Sequence, residues 1–101
     1  MYRYTTPALV FRVGGVNLND VDVMRVALEQ DDVELLKTSA DGGVKIDADS
    51  GLICVALTQE ETAAFGVDFV GIQARAKIGQ SVIASRKVNI KMCETLDEVV
   101  I

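Results

Sequence analysis

Residues 69–78 read FVGIQARAKI, and their phase decides the fold. Val70, Ile72, Ala74, Ala76 and Ile78 fall on one side, with Gln73, Arg75 and Lys77 on the other. Period-two alternation places successive side chains on opposite faces of an extended backbone, so this is a strand with one buried and one wet face. Ahead of it, LTQEETAAF at 57–65 breaks the pattern. Thr58 followed three residues later by Glu61 has the capping-box spacing, in which a hydroxyl and a carboxylate each satisfy an orphan backbone N–H at a helix start. Ala63 and Ala64 suit a helix, Phe65 is placed to plug the end of a core, and Gly66 is expected to end the turn. The stretch 59–65 is therefore predicted to be one short helical turn at a crossover between two sheets. Beyond the strand, Gly79-Gln80-Ser81 is predicted as a three-residue hairpin loop. A last strand follows over 82–92, where Val88, Ile90 and Met92 alternate with Lys87, Asn89 and Lys91. Its phase breaks at Ser85-Arg86-Lys87, the place for a β-bulge.

The same period recurs upstream. Leu9, Phe11 and Val13 oppose Val10 and Arg12 in a strand entered through Thr6-Pro7, where a proline suits a sheet edge. Over 23–30, Met24, Val26 and Leu28 alternate with Arg25, Ala27 and Glu29. Asp31-Asp32 closes a tight connection to a hairpin partner at 33–38, although its Leu35-Leu36 pair interrupts the alternation. Val44 and Ile46 mark a short strand between the turns Asp41-Gly42-Gly43 and Asp49-Ser50-Gly51. Ile53, Val55 and Leu57 form the inward set of 52–58. Strand-like segments at such short spacing, separated by turn chemistry, predict an all-β, immunoglobulin-like β-sandwich of about seven strands. There is no tryptophan, and the cysteines are not placed as a core pair, so the hallmarks of antibody domains are absent. One domain spans 1–93, and 94–101 forms a C-terminal tail.

With 101 residues, 50% hydrophobic and 25% charged, the chain has the composition of one soluble globular domain. The two cysteines, Cys54 and Cys93, show no CxxC spacing and there is no histidine to complete a zinc site. Free thiols are expected. No opening run has the pattern of a signal peptide, and no segment reaches the roughly 20 apolar residues of a membrane span. The chain is expected to be made and kept in a cytoplasm, or carried out only as part of an assembly.

Catalytic constellations are missing. Without histidine no nucleophile has its usual base, and no phosphate-cradling glycine loop joins a strand to a helix. Glu60 and Glu61 are neighbours on a helix and point in different directions. Asp41, Asp47 and Asp49 lack the spacing of a calcium loop. No enzymatic activity, cofactor or metal is expected. The net charge of −5 disfavours nucleic acid, and the cations have no aromatic platforms among them.

The charge is nevertheless uneven. Residues 69–93 hold Arg75, Lys77, Arg86, Lys87 and Lys91 and no acid, whereas residues 1–68 hold five basic and twelve acidic side chains. Arg75, Lys77, Lys87 and Lys91 are thus candidates for an interaction surface, against the alternative that they only solvate a sheet face or discourage edge pairing. Complementary fields of this kind can set the register of head-to-tail association. Tyr2, Tyr4, Val99 and Ile101 are alternative contact points near the two ends.

YRYTTPALVFRV at the start, DVMRVALEQ with the following ELLKT, and above all LTQEETAAF before VGIQARAKI resemble small proteins encoded in phage and prophage structural gene clusters of Firmicutes. The resemblance covers most of the chain and is weakest over 79–101. Gly71 and the Gly14-Gly15 pair depart from it. It implies an immunoglobulin-like sandwich associated with a tail or baseplate, non-enzymatic and acting by protein contacts, and it carries over no binding residues. The expected partners are a second copy or other phage structural proteins, without nucleic acid or membrane. The rival expectation is a carbohydrate-binding or adhesion module, for which three Phe, two Tyr and no Trp are a thin supply of rings.

Overall fold

The computed structural model describes residues 1–101. Eight strands form two antiparallel sheets: β1 (Ala8–Arg12), β2 (Val23–Gln30), β3 (Val33–Thr38), β4 (Val44–Asp47), β5 (Leu52–Ala56), β6 (Asp68–Ile78), β7 (Ser81–Ala84) and β8 (Val88–Met92). The one α-helix, α1 (Gln59–Ala63), lies between β5 and β6, and 3-10 turns occupy Leu18–Asp20 and Ser39–Asp41. One sheet has the order β1-β5-β4 and the other β3-β2-β6, with both β7 and β8 on the far side of β6. These are the neighbour relations of an immunoglobulin-type sandwich, in which the chain passes between sheets at each long connection. No helix is long and apolar enough to cross a membrane.

The strand phases follow the sequence. Met24, Val26 and Leu28 of β2, Val70, Ile72 and Ala76 of β6, and Ile53 and Val55 of β5 face inward and are buried. Leu9 and Phe11 of β1 and Ile90 of β8 pack against them. At the interrupted Leu35-Leu36 pair, Leu35 packs on the core while Leu36 points outward beside Ala27. Only 16 of 101 residues are buried, so each core side chain carries a large share of the stability.

Three expectations are corrected. The last strand is two strands, giving eight in place of about seven. Arg75 pairs with Ala84 and Ile72 with Val88, so Gln73 and Ala74 face the three residues Ser85, Arg86 and Lys87. That is a β-bulge. Its displaced ladder is replaced by Ser85, whose N–H donates to the Ala74 carbonyl at 2.8 Å and whose Oγ accepts from the Ala74 N–H at 3.0 Å. The β6–β7 loop has two residues, because Ile78 pairs directly with Ser81. Gly79 takes the left-handed conformation there, with φ of 59°.

The third correction concerns the helix end. The capping box forms as read: Glu61 N–H donates to Thr58 Oγ1 at 3.1 Å, and Thr58 N–H donates to Glu61 Oε1 at 2.9 Å. The α-helix, however, closes at Ala63, and Gly66 is not a left-handed cap. The side-chain amide of the buried Gln30 grips it instead, donating to the Gly66 carbonyl at 2.8 Å and accepting from its N–H at 2.6 Å. Thr62 faces inward and is fully buried, its hydroxyl donating to the Thr5 carbonyl and accepting from the Thr5 N–H. Arg3 donates to the carbonyls of Ala63 and Phe65 at 2.9 and 2.7 Å. These bonds pin α1 from three sides, and Phe65 seals the end of the core.

Candidate functional site

Directly opposed residues of an antiparallel pair share a face, so the strand register fixes what lies on the solvent side of the five-stranded sheet. One row across it contains Thr38, Arg25, Arg75 and Ala84. Beside that row lie Val23, Lys77 and Val82. The next row inward is Leu36, Ala27 and Gln73, and beyond it come Glu34, Glu29, Gly71 and Asn89. Phe69 and Lys91 form a further pair.

Two of these rows set like charges directly opposite each other, Arg25 against Arg75 and Glu29 against Glu34. Such pairs weaken a sheet, by about 0.2–1 kcal/mol for each. None of these four residues is in an ion pair, since the two of the chain, Arg3–Glu98 and Lys37–Glu61, lie elsewhere. The basic and acidic rows are four residues apart along β2, roughly 13 Å at the rise of a strand. Apolar surface accompanies them: Leu36 between the rows, Val82 beside the cations and Phe69 at the far end are 44%, 58% and 58% exposed.

The cations named from the sequence share this face but are spread along it, from Lys77 near one end to Lys91, opposite Phe69, near the other. Arg75, Lys77 and Lys91 project from β6 and β8. Lys87 leaves the bulge and lays its stem over Gly71, in the row of Glu29. A Cβ at Gly71 would come within 2.2 Å of the Lys87 Cε, a contact that the flexible end of that side chain can relieve by moving. Tyr2, Tyr4, Val99 and Ile101 are not part of the face. Tyr2 bridges to Cys93, Tyr4 stacks under the Arg3 guanidinium at 5.4 Å, and the backbone of Ile101 is held by the side-chain amide of Gln59. Arg25, Glu29, Glu34, Leu36, Phe69 and Val82 were not singled out from the sequence. The alternation of β2 marks Arg25 and Glu29 as wet positions, but their neighbours follow only from the pairing of β2 with β6 and β3.

Glu61 has a structural task. Its carboxylate holds Lys37 Nζ at 2.8 Å and caps α1. Burial pushes its pKa upward, but the hydrogen bond from Lys37, the bond from the Thr58 N–H and the Lys37 charge outweigh that and leave it below its ordinary 4.5. A lowered folded pKa means that the stabilisation is fully present above about pH 4.5 and fades as pH falls through the lower folded value. Glu61→Gln keeps a capping-box side chain but loses the ion pair with Lys37, and is expected to cost up to about 1 kcal/mol at neutral pH and to flatten the decline below pH 4.5. Urea midpoints of both proteins across the acid range check this, and parallel declines would contradict it. No group of three or more His, Cys, Asp or Glu side chains is arranged to hold a metal ion.

Comparison of the chain with protein-family models, with curated proteins and with solved structures finds no match in any of the three.

Proposed function

We propose that this chain is a non-enzymatic assembly module acting by protein–protein contact, with the outer face of the five-stranded sheet as a self-association surface. The observation that carries the reading is the segregation of unpaired like charges, Arg25 and Arg75 in one row and Glu29 and Glu34 in another. A face with one basic and one acidic row is complementary to itself. In an antiparallel two-fold pairing whose axis passes over Ala27, the basic row of one copy lies on the acidic row of the other, with Leu36 near the centre. Such an isologous contact is the commonest route to a closed dimer. Each like-charge pair, unfavourable in the single chain, then finds opposite charge across the interface, and the fields set the register.

The resemblance of LTQEETAAF and VGIQARAKI to phage and prophage structural proteins supplies the setting for this proposal, a tail or baseplate in which other structural proteins are further partners. Multi-angle light scattering at low and high salt tests the self-association. The wild type is expected to form a dimer at about 10 mM salt, where the screening length is about 30 Å, and to dissociate near 1 M, where it is about 3 Å. Arg25→Gln/Arg75→Gln/Lys77→Gln is expected to remain monomeric throughout. A wild type that is monomeric at low salt and high concentration would overturn the reading.

A further inference from the structure

The sandwich is open along one side. β1 is the edge of the three-stranded sheet, and β7 and β8 form an edge of the five-stranded one. Between them lies a cleft of about 300 Å³. Its apolar walls include Phe11, Val13, Val16, Ile53, Ile83 and Val88, and its charged residues are Arg12, Arg75 and Arg86 with no acid among them. None of the three arginines is in an ion pair. Ile83 and Val88 remain exposed, as does every residue of β7. Strand edges with unpaired N–H and C=O groups are templates for an added strand, whose alternate side chains fill an adjoining apolar groove.

An occupant must therefore be extended, apolar and acidic. Residues 94–101, ETLDEVVI, carry Glu94, Asp97 and Glu98 and no Lys or Arg. Leu96, Val99, Val100 and Ile101 are all exposed. Within its own copy the segment is held by polar contacts: Arg3 with Glu98 at 2.7 Å, Thr95 Oγ1 donating to the Arg3 carbonyl, and Gln59 with the Ile101 backbone. Those contacts leave its apolar side chains uncovered. Its eight residues span up to about 28 Å when extended, enough to run along β1 or the β7–β8 edge.

We infer that the cleft receives residues 94–101 of a second copy as an added strand, with Val99 and Ile101, which share one face of a strand, entering the cleft and Glu94 and Glu98 on the opposite face toward Arg12 and Arg86. The contact is head-to-tail, because the tail of one copy enters a different surface of the next, and repetition of it builds a ring or a filament. It goes beyond the sheet-face dimer: Arg75 borders both surfaces, but the tail contact rests on Arg12, Arg86 and the apolar cleft.

The test is titration of the synthetic peptide ETLDEVVI into the ¹⁵N-labelled full chain, read by backbone amide shifts. Saturable shifts are expected along 8–16 and 81–88. Arg12→Glu/Arg86→Glu is expected to weaken binding at least roughly tenfold, the factor that 1.4 kcal/mol represents, while its own spectrum stays dispersed. A peptide with Val99 and Ile101 replaced by Ser should give no shifts. Shifts confined to Tyr2–Arg3 and Gln59, where the chain's own tail sits, would overturn the proposal, as would affinity unchanged by either set of substitutions. Decanoate shifting these residues where the peptide does not would also overturn it, and would reassign the cleft to small amphipathic carboxylates. The mass measurements on the sheet face are made in the Arg12→Glu/Arg86→Glu background, where the head-to-tail contact is removed, so either proposal can fail alone.

Discussion

Phe65→Ala is expected to destabilise the chain by about 3–5 kcal/mol, the range for removing a fully buried aromatic side chain. Phe65 is 1% exposed and heads the fully buried side chains by volume. The cost depends on how far the surroundings can collapse into the space left behind, and here they are held. Arg3 binds the Phe65 carbonyl, Thr62 is bonded to Thr5, and Gln30 grips Gly66 one residue later. The backbone on both sides of the ring is anchored, which places the effect toward the upper end. Domains of this size have roughly 5–15 kcal/mol of stability in total. At about 4–8 °C for each kcal/mol, the melting temperature should fall by roughly 15–30 °C. Thermal and urea unfolding followed by circular dichroism measure it, with Phe65→Leu as a milder comparison. A loss below about 1 kcal/mol would mean that Phe65 does not seal the core as its burial indicates.

The parts of this fold that were legible in the sequence are those set by local physics. The period of two assigned the inward residues of β2, β5 and β6, because the pleat alone determines it. The Thr58–Glu61 capping box was legible because both partners lie within four residues. Legibility ended where a distant residue decides the outcome. Gly66 reads as a helix terminator, but Gln30, 36 residues away in sequence, holds both of its backbone groups. The phase break at Ser85 was visible, yet the division into β7 and β8 depends on where β6 pairs with each. The candidate surface divides in the same way. Its cations on β6 and β8 stood out by charge counting, whereas the rows pairing Arg25 with Arg75 and Glu29 with Glu34 exist only through the long-range register of β2 with β6 and of β2 with β3.

Those rows make a second large effect available, because exchanging their charges should first abolish association and then restore it in a mixture. Arg25→Glu/Arg75→Glu makes both rows acidic, and Glu29→Arg/Glu34→Arg makes both basic. Either variant alone presents like charge to its own copy, so each is expected to stay monomeric at low salt. Mixed, the two faces carry opposite charge over both rows and are expected to form a heterodimer, since the like-charge pairs in each copy meet opposite partners as they do in the wild-type pair. The substitutions are on exposed positions, so the folds of the separate variants can be verified by their unfolding transitions before mixing.

The most direct measurement is sedimentation velocity at low salt on each charge-exchanged variant alone and on their equimolar mixture. The account predicts monomers in the separate samples and a species of twice that mass in the mixture. A mixture that sediments as monomer while both variants are folded would contradict self-association through this face.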